Sequence, residues 1–125
     1  MEKDYGIWLS SFNHVWYGLF TSKQQVKRFC RKHKLDFPGF VGEGAQATTW
    51  SLKHHNGDAV ALVCMRNRGA VTTEVAGLIA HEAAHVWQFI RDEMGEEKPS
   101  EEFEAYSLQK IVVRLLKDYN EKAGQ

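Results

Sequence analysis

Apolar positions along the chain change period several times, and each change predicts an element. Between residues 74 and 90, Val75, Leu78, Ile79, Ala83, Val86 and Ile90 recur at three- and four-residue intervals, the spacing of one helix face. Thr72 or Thr73 stands before the stripe as an N-cap, with Glu74 in the first turn. Met94-Gly95 ends it, and Gly95 suits the left-handed C′ position. After a short polar connection, Leu108, Ile111, Val112, Leu115 and Leu116 predict a last helix. Pro99-Ser100 opens it, with Ser100 as N-cap and Glu101 and Glu102 at its positive end. The tail from Asn120 to Gln125 is expected to fray.

Upstream the period shortens. Thr48 to Leu52 and Val60 to Met65 are β-prone, and Asn56-Gly57 lies between them. That pair suits a type I′ turn, so a hairpin is predicted over about 46–66, with strands at 48–54 and 59–66. His54 and His55, read as strand neighbours, point to opposite faces and cannot easily share one metal. Residues 5–20 hold Tyr5, Trp8, Phe12, Trp16, Tyr17 and Phe20. Tyr5, Trp8, Phe12 and Trp16 are helically spaced, while Val15, Tyr17 and Leu19 alternate. A short helical segment giving way to a strand near 14–20 is expected, with the aromatics in the core. Thr21-Ser22 caps a helix from Lys23 to Lys34 that turns Val26, Phe29 and Cys30 to one side and Lys23, Lys27 and Arg31 to another.

A chain of 125 residues with 43% hydrophobic and 26% charged residues makes one domain rather than a disordered segment. Residues 1–69 read as an α/β part and 70–120 as a two-helix part. Lys+Arg and Asp+Glu are both 16, so no obligatory nucleic-acid or membrane partner is implied. Residues 21–34 nevertheless carry six Lys/Arg and no acid. A nucleic-acid-binding module is therefore one alternative, weighed against a solvated helix face. Cys30 and Cys64 are too few for a disulfide scaffold and read as buried thiols. Met1 to Asp4 does not begin a signal peptide, and no apolar run approaches the ~20 residues of a membrane span. A cytoplasmic protein is expected.

The chemistry sits on the first long helix. His81-Glu82-Ala83-Ala84-His85 is an H-E-x-x-H pattern. On a helix its histidines lie one turn apart, so both imidazoles reach one Zn²⁺. Glu82 falls beside them, placed to take a proton from a metal-bound water as general base. A third ligand must follow. Gln88 and Arg91 stand where a metzincin needs Gly and His, and no His follows His85. A carboxylate is left. Glu101 and Glu102 are explained as first-turn acids, whereas Glu104 shares the stripe of Leu108, Ile111 and Leu115. Glu104 ranks first, then Glu101, then Glu102.

With these residues in place, the chain resembles the gluzincin branch of the zincin metallopeptidases, in its minimal form. The stretches "HEAAHVWQ" and "EFEAYSLQ" also resemble small HExxH proteins encoded by phages and prophages. The resemblance implies an α+β, zincin-like fold: a small mixed sheet with its hairpin packed on the HExxH helix, then a helix carrying the third ligand. It implies one catalytic zinc, held by His81, His85 and Glu104, and hydrolysis of a peptide or protein substrate with Glu82 as base. It implies that the strand near 59–66 is the edge along which substrate adds. In a phage-encoded protein the compartment would be the host cytoplasm. Leu108 departs from the pattern, since gluzincins often place an acid or small residue there. Tyr106, a possible transition-state donor, reads as packing. An inactive zinc-binding zincin with a binding or structural role is the alternative.

Overall fold

In the computed structural model, which describes residues 6–123, the architecture follows from one strand. β4 (Ala59–Met65) has no charged side chain and is buried along its whole length. Its odd positions pack with Val75, Ile79, Ala83 and Leu115, and its even positions with Phe20, Val26 and Phe29. A strand buried on both faces needs a layer on each side and a neighbour along each edge. Those neighbours are β2 (Val15–Phe20), parallel to it, and β3 (Ala47–Lys53), antiparallel to it. β1 (Trp8–Leu9) extends the sheet beyond β2, giving the order β1-β2-β4-β3. α1 (Lys23–Lys32) covers the even face, and α2 (Thr73–Met94) and α3 (Glu101–Ala123) cover the odd face. The result is a mixed α+β domain of four strands and three helices among the described residues.

Helix ends form where capping chemistry directs them. Ser22 Oγ accepts from Gln25 N at 3.2 Å, and Thr72 Oγ1 from Val75 N at 3.2 Å. Gly95 adopts φ 70 after α2, the left-handed turn a side chain resists. Phe103 N donates to Ser100 Oγ at 3.3 Å. No helix among the described residues is long and apolar enough to cross a membrane. Cys30 and Cys64 are free and buried. Burial pushes the Cys30 thiol up to about 11 and the Cys64 thiol further up, which leaves both unreactive.

Four local expectations are corrected. Trp8 lies in β1, paired with Tyr17, and Phe12 lies in a 3₁₀ turn over Ser11–Asn13. Strand pairing therefore overrides the helical spacing there, while Tyr5 falls outside the described residues. The hairpin turn is not type I′, because only Gly57 of the Asn56-Gly57 pair has positive φ. Gly57 N donates to His54 O at 2.8 Å, and His54 N donates to Asp58 O at 2.7 Å, so the loop spans 54–58. His54 and His55 both lie in this turn, with ring centroids 4.0 Å apart instead of on opposite strand faces. Finally, α3 does not fray at Asn120: it runs to Ala123, and Lys122 is buried.

That last correction has a polar cause. Asp118 Oδ2 accepts from Leu19 N at 3.0 Å and Oδ1 from Trp8 Nε1 at 3.0 Å. One turn later, Lys122 Nζ donates to Leu19 O and sits 4.1 Å from the Phe20 ring centroid. Gly6, at φ 74, admits this carboxylate, since a Cβ there would lie 2.9 Å from Asp118 Oδ1. Burial raises the Asp118 carboxyl to about 6 against the pull of Lys122. Burial likewise lowers the Lys122 ammonium to about 8 against Asp118.

K122M strands a buried carboxylate and is expected to cost about 3–5 kcal/mol at neutral pH. Without the cation, the Asp118 pKa rises further above its unfolded value of about 4. Between those two values the folded state holds a proton that the unfolded chain has released, so stability falls as pH rises. The K122M deficit should therefore be small near pH 4 and largest above pH ~7, and D118N/K122M should recover much of it. Urea unfolding across pH measures both effects.

Candidate active site

The H-E-x-x-H pattern lies in the middle of α2, and its period splits the motif between two environments. Glu82 turns toward β3 and is buried, its side chain 5% exposed, whereas the His81 side chain is 68% exposed. His81 and His85 stand one turn apart with ring centroids 4.9 Å apart, edge to face. His81 Nε2 is 4.0 Å from Glu82 Oε2. His85 Nδ1 lies 3.2 Å from Gln88 Oε1. With the proton on Nδ1 this contact is a hydrogen bond to the amide oxygen, and the Nε2 lone pair is then left for a metal.

The opposite wall of the site is β3. Its residues Ala47, Thr49 and Ser51 line a cleft of about 550 Å³ with His81, Glu82 and His85. Thr49 Oγ1 donates to Glu82 Oε1 at 2.8 Å. This corrects the expected substrate edge. Residues 59–65 are the internal strand, and β3 is the outer strand beside the motif. The contrast is visible in the residues: AVALVCM is uniformly apolar, while ATTWSLK alternates. Among the described residues the N-terminal aromatic segment does not cover this edge, because β1 pairs at the far side of the sheet.

The structure places the three candidate carboxylates elsewhere. Glu101 and Glu102 are exposed in the first turn of α3. Glu104 is half-buried, and its Oε2 accepts from Trp87 Nε1 at 2.8 Å. Trp87 follows His85 by two residues, so it projects about 200° away around the helix axis. Among the described residues, no three His, Cys, Asp or Glu side chains gather closely enough to hold a metal ion. Tyr106, expected in packing, is 67% exposed, while Leu108 packs at the margin of the core. The cations of α1 lie on the sheet face opposite the cleft.

Thr49 and Gln88 are the site contacts that sequence reasoning missed. Gln88 was legible, three residues after His85 on a helix. Thr49 was legible only as one member of an alternating strand, since the partner helix was unknown. No protein-family model, curated protein or solved structure matches the chain.

The Trp87–Glu104 bond joins α2 to α3 across 17 residues of sequence. A hydrogen bond to a charged acceptor contributes about 1.5–3 kcal/mol. A double-mutant cycle of W87F with E104L is expected to give a coupling energy in that range in chemical unfolding. Additive single effects would show that the bond contributes nothing.

Proposed function

We propose that this chain is a zinc-dependent peptidase that acts on an extended peptide laid along β3. The observation carrying this reading is the buried Glu82 carboxylate at the floor of a cleft between a sheet edge and the exposed histidines of α2. His81 and His85 fit zinc as donors, being neighbouring imidazoles on an open helix face, with Glu82 beside them. Glu104 is the third donor in this reading and has the right chemistry, but Trp87 holds one of its oxygens.

Zinc held there would supply a water of pKa about 7 and an electrophile for the carbonyl. The chain's own residues do the rest. The outer edge of β3 offers backbone N–H and C=O groups to an extended substrate. Such pairing reads backbone more than side chains, so the enzyme accepts varied sequences. Glu82 takes the proton of the attacking water and delivers it to the leaving nitrogen. A zinc-binding protein without turnover is the second reading, since a metal site does not by itself make an enzyme.

Purified protein is expected to carry one zinc by elemental analysis, and H81A to lose it. E82Q should keep the metal and lose cleavage of casein, an unstructured probe, by roughly 100-fold or more. Zinc retention with no cleavage by wild type selects the second reading. If Glu104 exchanges Trp87 for the metal, zinc addition to metal-free protein should change the tryptophan fluorescence of wild type. The same addition should leave the fluorescence of W87F unchanged.

A further inference from the structure

Resting on the peptidase reading, we propose that Thr49 is a positioning residue that fixes the general base from the substrate-binding strand. Glu82 has one carboxylate with two oxygens in different surroundings. Oε1 accepts the Thr49 hydroxyl at 2.8 Å, and Oε2 lies 4.0 Å from His81 Nε2. The bond to Thr49 leaves Oε2 as the oxygen that meets the proton. It also restrains rotation of the carboxylate at the floor of the cleft.

The residue type suits the task. Threonine is β-branched, so its χ1 is restricted and the hydroxyl has few directions available. It also belongs in a strand, where its side chain and that of Ser51 turn to α2 while Trp50 turns to the α1 side. A substrate adding to β3 would pair with the strand that holds the base. The scissile carbonyl and the proton acceptor are then registered against the same backbone, with no loop between them. This arrangement contributes the orientation that turnover requires.

The test uses the full chain loaded with zinc and casein as probe. T49V keeps the shape and removes the donor; it should lower kcat about tenfold while leaving KM and zinc content unchanged. T49S restores the donor and should recover most of the loss. In the E82Q background, T49V should cause no further loss, because Thr49 acts through Glu82. A readout without turnover accompanies these. The Thr49 hydroxyl proton should exchange slowly by NMR in wild type and rapidly in E82A, and the Glu82 carboxyl carbon should shift in T49V. Full activity in T49V, or an added loss in T49V/E82Q, overturns the proposal and leaves the peptidase reading intact. An absence of cleavage by zinc-loaded wild type overturns the peptidase reading and, with it, the catalytic role of Thr49; a slow hydroxyl then assigns the bond to structure alone. Should T49V fail to fold, T49S together with the wild-type hydroxyl exchange decides: a rapidly exchanging hydroxyl overturns the positioning role.

Discussion

A seven-residue strand whose side chains are all buried cannot lie at a sheet surface. β4 is such a strand, and its burial organises the domain. One face requires Val26 and Phe29 of α1; the other requires the apolar stripes of α2 and α3. Both edges require partners, since unpaired buried backbone groups are costly. β2 takes one edge and β3 the other. β3 is therefore left at the outside of the sheet, directly beside α2. The cleft is a consequence of how β4 is covered.

α2 serves the core and the cleft at once because 3.6 residues per turn separate the two tasks. Val75, Ile79, Ala83, Val86 and Ile90 face inward. His81 and His85 fall on the outer face, and Glu82 lies at the boundary, where β3 buries it. The same periodicity sends Trp87 to the α3 side, where it meets Glu104. The helix thus separates the candidate donors into a histidine face and a carboxylate contact.

α3 is fixed by its apolar stripe and also by polar contacts along its C-terminal half. Tyr119 OH donates to Gly69 O at 2.8 Å, and Arg114 donates to Leu9 O at 3.1 Å and to the Tyr17 hydroxyl at 2.9 Å. Asp118 and Lys122 reach both backbone groups of Leu19 in β2. Buried charges are costly unless paired and hydrogen-bonded, so this arrangement tolerates little displacement. It secures the far end of the helix whose first turn carries Glu104.

Local physics made much of this legible from the chain alone. The stripe from Val75 to Ile90, the Thr72 cap and the Gly95 stop defined α2, because periodicity and capping act within one segment. Two β-prone runs around Asn56-Gly57 defined the hairpin, though not its turn geometry. The H-E-x-x-H spacing placed two imidazoles and a carboxylate on one helix without any knowledge of the fold. What tertiary structure decided was every relation between segments. Burial of β4 made β3 the edge, pairing with β2 drew Trp8 into a strand, and backbone groups of Leu19 gave Asp118 and Lys122 buried places. Glu104 found an indole N–H, and Glu82 found the hydroxyl of Thr49. A period of 2 or 3.6 states which residues share a face; only the packing of one face against another states what that face meets.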